Sequence, residues 1–320
     1  MRFLAAFARA SLELALLLAA ALGLLSLLGF WKNRFDLLAH FAPVWLALCL
    51  AGLLLIFVLQ LQPRRLLLAA AFASAAACAG LMAPELIAAA RQPAAGSAAE
   101  QRIRVVSFNL WIRNAEPERT AAWLLASGAD VLVLPEPERA AAGIIARLRA
   151  RYPYGLDCQG DHDCNAAILS RWPVSASGAS PPYAWAAVQA PGGPFTVIGA
   201  HFTWPTDGWQ QAWQRRRVAD LIASFDRRTT VVAGDFNTAP WSFAMRRQDR
   251  LFGLERRTRA LFSWPARPVS RFRVPLPFPI LPIDHLYAGD SWRTLSVRRG
   301  PRLGSDHFPV VADLARPRRR

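Results

Sequence analysis

Residues 229–240 read TTVVAGDFNTAP and give the clearest local indication of structure in the chain. The β-branched residues at the start of this stretch predict a strand, and Gly234 allows the backbone to turn sharply where that strand ends. Side chains two positions apart in an extended segment point the same way, so we expect Asp235 and Asn237 to face one ligand and Phe236 to return to the core. Taken alone, the stretch also fits an Asx turn that only caps a buried strand.

Similar polar residues stand at the ends of other predicted strands. Strand segments are predicted within 103–109, 130–136, 165–170, 195–201, 283–287 and 304–314, and helices within 116–128, 140–152 and 210–225. At or beside the strand ends lie Asn109, Glu136, His201, Asp235 with Asn237, Asp284, and Asp306 with His307. One such residue is usually a cap or a satisfied polar group, but the coincidence of six places indicates a common site. Carboxylate and carbonyl oxygens suit Mg²⁺, which keeps positions open for phosphate, while histidine and asparagine move protons or neutralise charge.

The N-terminal part of the chain has the composition of a membrane anchor. Its residues are mostly Leu and Ala, in three apolar runs at roughly 11–30, 37–61 and 66–90. Each run reaches the roughly 20 residues that a spanning helix needs. We therefore predict three transmembrane helices over 1–91, followed by a small, polar linker at 92–101. Arg2 and Arg9 also resemble the start of a signal peptide, but no small-x-small cleavage site ends the first run, which favours an uncleaved anchor.

The positive charges of the short connecting segments predict the orientation of this anchor, because such charges stay on the cytoplasmic side. Arg64 and Arg65 in the second connection, together with the basic N-terminus, outweigh Lys32 and Arg34 in the first. Three spans then place the soluble domain in the periplasm or outside the cell, on a bacterial inner or plasma membrane. Arg91 argues for the opposite orientation.

The cysteines bear on the same question. Cys49 and Cys78 lie in apolar runs and are expected to be inert small hydrophobes, whereas Cys158 and Cys164 bracket the polar loop CQGDHDC. Outside the cytoplasm the second pair can form a disulfide, which would support the predicted orientation. The alternative is a metal site made by Cys158, His162 and Cys164.

The soluble part of the chain is strongly cationic. The whole chain has 38 basic and 22 acidic residues; removing the seven and four found in positions 1–100 leaves 31 and 18, a net charge of +13. Such a charge favours anionic partners: nucleic acid, phospholipid surfaces or phosphorylated small molecules. Lys32 is the only lysine, so the abundance of arginine also fits a bias in genomic composition.

The order of the motifs SFNLW, LPEPE, AILSRWPV, GAHF, AGDFNTAP, IDHLY and GSDHFPV resembles the endonuclease/exonuclease/phosphatase superfamily of DNase I-like, metal-dependent phosphoesterases. The specific part is GDFN followed about seventy residues later by SDH. The resemblance covers about 102–314 and implies a four-layer α/β/β/α sandwich there, preceded by the three transmembrane helices and followed by a basic tail at 315–320. Alternation of strands and helices alone would equally fit a doubly wound sheet.

The resemblance also implies a divalent metal, Mg²⁺ or else Mn²⁺. Glu136 would be its principal ligand, with Asn109 and Asp306 close to the metal and its waters, and Asn165 would contact substrate. Pro135 stands where the family commonly has glutamine, which leaves the ligand itself unchanged.

Catalytic roles follow from the same resemblance. Asp235 would act as the base and, with Asn237, would hold the attacking water and a phosphate oxygen. His307 would contact the scissile phosphate and be oriented by Asp284, because a histidine needs a partner to fix its tautomer. His201 would stabilise charge on the phosphoryl oxygens.

Three functions are compatible with these features. The leading hypothesis is a membrane-anchored hydrolase of a lipid-linked or headgroup phosphate, with Arg215–Arg217, Arg271, Arg273 and the tail 316–320 binding anionic headgroups. The first alternative is an extracytoplasmic nuclease on DNA or RNA, which the positive charge suits. The second is a non-catalytic membrane scaffold, and no protein partner is predicted.

Overall fold

The computed structural model describes residues 2–90, 100–158, 164–267 and 278–317. They form two compact units. The first unit consists of residues 1–90 together with 239–246, and the second of residues 91–238 together with 247–320. The apolar N-terminal part thus forms one unit with a short segment from the middle of the sequence.

The first unit is helical. Its helices are α1 (Arg2–Leu25), α2 (Asn33–His40), α3 (Ala42–Val58) and α4 (Arg64–Ala89), and a 3₁₀ turn over Ser26–Phe30 follows α1. Among the described residues, Phe3–Phe30 and α4 are long and apolar enough to cross a membrane, and α2 with α3 make a third candidate, bent by 61°. The predicted second span is therefore interrupted. Pro43 lies in the first turn of α3, where its missing N–H and fixed φ suit the start of a new helix better than the continuation of α2.

The second unit contains two six-stranded mixed sheets. The strands of one are β1 (Glu100–Ser107), β2 (Val131–Pro135), β3 (Tyr154–Leu156), β4 (Ala166–Ser170), β11 (Arg293–Arg299) and β12 (Val310–Pro317). Those of the other are β5 (Val174–Ser180), β6 (Tyr183–Ala190), β7 (Gly193–His201), β8 (Val231–Asp235), β9 (Glu255–Arg256) and β10 (Asp284–Ala288). The strand orders are β11-β12-β1-β2-β4-β3 and β5-β6-β7-β8-β10-β9. Only β1–β2 and β7–β8 are parallel among these pairs.

The two sheets face each other. β4 packs on β6 and β7, and β2 packs on β7 and β8. Gly199 of β7 permits the close approach, because a Cβ at this position would lie 3.0 Å from Val133 Cγ1 of β2 and 3.4 Å from Ile168 Cγ1 of β4. The apolar faces of both sheets form one hydrophobic core. A single doubly wound sheet is excluded.

Helices α5 (Pro117–Ala126), α6 (Ala142–Leu148), α7 (Gly208–Ala223) and α8 (Phe243–Phe252) accompany the sheets. Leu124 of α5 and Ile145 of α6 are buried in the core that the two sheets share. On α7, Val218 and Ile222 are buried as well. The predicted α/β sandwich is confirmed.

Several elements were not predicted from the sequence, among them the short strands β3 and β9, the strand β11, the hairpin β5–β6 and helix α8. The hairpin β5–β6 is rich in Ala, Ser and Gly, which have weak strand propensity, and its strands exist because β6 pairs with β7. Helix α8 buries Ala244, Met245, Gln248 and Phe252, which is helical spacing, so its signal was present in the sequence. Strand β1 begins at Glu100, inside the predicted linker, and β12 extends into the predicted tail.

Cys158 and Cys164 form a disulfide. Neither thiolate is then free to bind a metal, so the alternative metal site of the polar loop is wrong; its third member, His162, lies outside the described residues. Cys49 and Cys78 are free and buried, as expected.

Candidate metal and phosphate site

One end of the second sheet gathers three polar side chains. The parallel pair β7–β8 places His201 opposite Asp235, and the antiparallel pair β8–β10 places Asp284 opposite Asp235. Residues directly opposite each other in paired strands have neighbouring side chains on the same face of the sheet. Three residues that are far apart in sequence are therefore adjacent at this end.

Asn109 connects this group to the other sheet. It follows β1, and its Nδ2 donates to Glu136 Oε1 at 2.9 Å and to Asp235 Oδ2 at 3.0 Å. Glu136 follows β2 with a φ of 53°, a left-handed conformation that is strained for a residue with a Cβ. Its Oε2 accepts the backbone N–H of Ile112 at 3.1 Å. The Glu136 carboxylate is thus fixed before any ligand binds.

The turn after β8 is an Asx turn and not an extended segment. Asn237 has a φ of 47°, and its backbone N–H donates to Asp235 Oδ1 at 2.9 Å. The expectation of an extended chain is wrong, because a tight turn brings the two side chains together instead. Phe236 is buried, as expected. Asp235 and Asn237 nevertheless both line one cleft, so the capping and the ligand-facing arrangements occur together.

His307 lies between two buried carboxylates. Its Nδ1 is 2.8 Å from Asp284 Oδ2, and its Nε2 is 3.5 Å from Asp235 Oδ2. Burial by itself lowers the pKa of His307, but the charges of Asp284 and Asp235 outweigh it and hold the pKa well above its usual value. These charges favour the protonated form of His307, in which Nδ1–H donates to Asp284 and Nε2–H lies on the side of Asp235 at a longer distance.

Burial raises the pKa values of carboxyl groups, whereas it lowers that of a histidine. Burial raises the pKa of Asp235 to about 6, although His307 partly offsets this. Burial likewise raises the pKa of Asp306, and the nearby Glu136 charge adds to the effect. A site that holds several carboxylates away from water, and raises their pKa values, favours a bound cation.

Asp306 offers direct support for a cation. Its Oδ1 is buried and has no hydrogen-bond partner among the described residues, while Oδ2 accepts from Trp264 Nε1 at 3.4 Å. An unpaired buried carboxylate oxygen is costly, and oxygens of this kind are the ligands that Mg²⁺ and Mn²⁺ take. The hard oxygens of Glu136 and Asp306, which line the same cleft, fit a divalent metal.

A second grouping also has metal-like spacing. Ligand atoms of Asp235, Asp284 and His307 all lie within 4.8 Å of one another. However, His307 Nδ1 is already bonded to Asp284 and its Nε2 lies 3.5 Å from Asp235, so we assign these three residues to a hydrogen-bonded network. Glu136 and Asp306 remain the better pair for the metal.

The cleft has a volume of about 320 Å³ and aromatic walls that the sequence did not reveal as part of a site. Its lining includes Trp111, Trp204, Trp264, Arg113 and Arg267, beside Glu136, Asp235, Asn237, Asp306 and His307. Trp204 and Trp264 pack edge to face, with 5.8 Å between ring centroids. Trp111 comes two residues after Asn109, and Trp204 comes three residues after His201. This closeness in sequence to predicted site residues was the available signal for the aromatic walls.

The structure thus brings together Asn109, Glu136, His201, Asp235, Asn237, Asp284, Asp306 and His307. The amide nitrogen of Asn109 donates to the carboxylates of Glu136 and Asp235, and its Oδ1 accepts the N–H of Trp111 at 2.8 Å. Asn165 is the exception: its backbone carbonyl accepts the Glu136 N–H at 3.3 Å, and it is not among the residues lining the cleft. Its role in substrate binding stays a prediction.

The predicted headgroup-binding arginines need correction. Arg215 is buried because helical spacing places it on the same face of α7 as Gln211, Val218 and Ile222. Arg217 donates to Ser180 Oγ at 2.8 Å, and of the three only Arg216 is exposed. In the predicted tail, Arg316 is buried and donates to Gln101 Oε1 at 2.8 Å. Arg271, Arg273 and residues 318–320 lie outside the described residues.

Several solved structures are similar in fold to this chain. Sphingomyelinase C from Streptomyces griseocarneus is similar with a TM-score of 0.53 and 18% identity, over 67% of this chain and 99% of that one. A variant of beta toxin from Staphylococcus aureus with bound magnesium ions gives 0.54 and 13%, over 66% and 99%. An endonuclease/exonuclease/phosphatase from Beutenbergia cavernae gives 0.50 and 22%, over 68% and 72%. At these identities the likeness shows the fold alone.

The family model of the Endonuclease/Exonuclease/phosphatase family matches residues 106–307, more than half of the chain. The chain belongs to this family, as the motif order predicted. No curated protein sequence matches it. Family and fold together support a metal-dependent phosphoesterase in general.

Proposed function

We propose that this protein is a membrane-anchored, divalent-metal-dependent hydrolase that cleaves a lipid-linked or headgroup phosphate ester. The observation that carries the hydrolase assignment is the cleft, which is lined by Glu136, Asp235, Asp306 and His307 and into which the unpaired Asp306 oxygen converges with them. Glu136 and Asp306 would hold the metal. When bound, it supplies Lewis-acid neutralisation of the phosphate charge and stabilises the leaving oxygen.

The residues of the chain account for the remaining chemistry. Asp235, with a pKa of about 6, is mostly ionised at neutral pH and accepts the proton of the attacking water. Asn237, from the same turn, positions that water and one phosphate oxygen. His307, held by Asp284, donates to the phosphoryl oxygens, where negative charge increases in the transition state. His201, whose Nε2 is 3.6 Å from Glu136 Oε1, lies where it can add to that stabilisation.

A membrane substrate is supported by features of both units taken separately. The first has two or three helices with the length and composition of membrane spans. The second exposes Trp204, Trp209 and Trp213, of which Trp209 is 85% exposed, and tryptophan is enriched at membrane–water interfaces. The disulfide between Cys158 and Cys164 supports an extracytoplasmic location for the second unit.

A nuclease is the second candidate. Tryptophans that line the cleft can stack on bases, and a net charge of +13 over residues 101–320 attracts phosphate backbones. These features support single-stranded more than double-stranded nucleic acid, because stacking needs unpaired bases.

The test compares the full chain in lipid nanodiscs with its Glu136→Gln variant and the matched control Glu138→Gln. Glu138 belongs to the same LPEPE motif but is exposed and does not line the cleft. Substrates are a phospholipid diester, phosphatidic acid, and single- and double-stranded oligonucleotides, each with Mg²⁺, Mn²⁺ or EDTA. Metal-dependent lipid turnover that only Glu136→Gln abolishes supports the proposal. Turnover of oligonucleotides alone would favour the nuclease, and no turnover would favour a scaffold.

Protons and a divalent metal are expected to compete for this site. Asp235, Asp306 and His307 all have raised pKa values in the fold, so they bind protons more tightly there than in the unfolded chain. Their contribution to stability is present at low pH and is lost as the pH rises through about 6 and above. Metal-free protein should therefore lose thermal stability between about pH 5 and pH 8, and Mg²⁺ should restore it.

The measurement is the apparent melting temperature in EDTA and in Mg²⁺ at both pH values. The increase caused by Mg²⁺ should be larger at the higher pH, and Asp306→Asn should reduce it. An equal increase at both pH values would show that the metal binds elsewhere.

A further inference from the structure

The segment Ala239–Arg246 directly follows the catalytic turn in sequence, yet it belongs to the compact unit of the membrane anchor. The turn itself, from Asp235 to Thr238, belongs to the other unit. Residues 239–246 therefore group with the anchor, although the residues before and after them belong to the catalytic unit.

Asp36 of α2 caps the helix that starts in this segment. Its Oδ1 accepts the backbone N–H of Phe243 at 2.8 Å, and its Oδ2 accepts that of Ala244 at 2.6 Å. The next N–H, of Met245, donates to Ser242 Oγ at 3.1 Å. The first N–H groups of a helix have no partner within it, and the positive end of the helix dipole favours an anion. One carboxylate thus satisfies two of these groups and bears the charge that the helix end prefers.

Further contacts hold the same segment in the anchor unit. Trp241 Nε1 donates to the backbone oxygen of His40 at 3.2 Å, and Arg246 Nη2 donates to that of Leu81 at 3.1 Å. Asp36 is only 3% exposed. Gly29 packs closely against the backbone of Asp36, because a Cβ at Gly29 would lie 2.8 Å from Asp36 Cα. The cap is therefore buried, hydrogen-bonded and closely packed.

We propose that Asp36 is a positioning residue for the catalytic turn, an inference that rests on the proposed function. The turn has two ends. Its start is fixed because Asp235 pairs with His201 and Asp284 in the sheet. Beyond Thr238, the chain is fixed by the anchor, through Asp36 and the start of α8. The anchor thus acts on catalysis as well as on location.

Loss of the cap should lower the rate because catalysis tolerates only small displacements of the catalytic groups. Asn237 has the left-handed backbone conformation of the Asx turn, and such a conformation persists only when its surroundings enforce it. Loss of the cap frees the segment that follows and lets Asn237 and Asp235 sample other geometries. A displacement of about 1 Å in a catalytic group can reduce the rate by about 100-fold. The substrate-binding walls at Trp111 and Trp264 lie elsewhere in the sequence, so binding should change little.

The test uses the full chain in nanodiscs and the soluble diester bis(p-nitrophenyl) phosphate, which removes any effect of membrane presentation. Asp36→Asn keeps the size but loses the charge and one acceptor oxygen. Trp241→Phe keeps an aromatic side chain but loses the bond to His40 and part of the buried ring, as a second variant. Glu13→Gln is the matched control: Glu13 Oε1 accepts the backbone N–H of Gln62 at 2.8 Å, in the same unit but away from the segment. Kinetics and backbone hydrogen exchange are measured on each.

We expect kcat of Asp36→Asn to fall about 10- to 100-fold with KM nearly unchanged, and amide exchange to accelerate across residues 236–246. Trp241→Phe should show the same changes to a smaller extent, and Glu13→Gln neither. Faster exchange confined to 243–246 with normal kcat would overturn the proposal, because Asp36 would then only stabilise the anchor. If the wild-type protein hydrolyses nothing, the proposed function fails, and exchange at 236–238 alone still decides whether Asp36 positions the turn.

Discussion

Substituting Asp235 with asparagine is expected to reduce kcat by about a thousandfold or more while the protein stays folded. Asp235 is 1% exposed and lies at the centre of the site. It accepts hydrogen bonds from Asn109 Nδ2 at 3.0 Å and from the Asn237 N–H at 2.9 Å, with His307 Nε2 3.5 Å away. Asparagine has nearly the same shape, so packing is retained.

The chemistry is not retained, for two reasons. An amide cannot accept the proton of an attacking water, which removes general-base catalysis. The loss of one negative charge also lowers the pKa of His307, since the charge of Asp235 is one of the causes that raise it. The pH profile should therefore lose its acid limb, which reports the ionisation of Asp235 near pH 6.

The assay is hydrolysis of a soluble diester by the full chain, with Asp290→Asn as the matched control. Asp290 is an exposed aspartate whose side chain pairs only at the surface with Arg228, at 3.4 Å. Retention of more than about a tenth of the wild-type kcat by Asp235→Asn would show that another group is the base.

The sequence predicted which residues come together in the candidate site better than it predicted the shape of that site. Asp235, His201 and Asp284 each stand at the end of a strong β-pattern, and polar residues at such places are visible without a structure. Their adjacency depends on the register of β7, β8 and β10, which the chain alone does not specify. The order of the motifs revealed a family resemblance, and that resemblance predicted the adjacency of these residues.

Other features left little or no local pattern. The hairpin β5–β6 has weak strand propensity and is stabilised by pairing with β7. The walls at Trp204 and Trp264 come from loops sixty residues apart in sequence. The cap from Asp36 to Phe243 joins residues 207 positions apart. Contacts of this range depend on the fold as a whole, so no window of sequence contains them.

Substituting Gly234 with alanine is expected to destabilise the second unit strongly. Gly234 has a φ of 150°, which L-residues rarely adopt, and a Cβ there would overlap the carbonyl oxygen of Ala200 in β7. The Ala200 backbone carbon and nitrogen would also lie within 2.8 and 2.9 Å of it. Because these are backbone atoms of the paired strand, no side chain can move aside to relieve the contact.

We therefore expect a loss of about 2 to 4 kcal/mol in the free energy of unfolding. For a chain of this size that corresponds to a fall of roughly 5 to 15 °C in the apparent melting temperature. Activity should fall as well, since the β7–β8 register places His201 beside Asp235. Gly143→Ala is the matched control, because a Cβ at Gly143 of α6 meets no atom within 4 Å and alanine favours a helix. Equal melting temperatures for the two variants would mean that β8 can shift its pairing with β7, and that the site does not depend on this register.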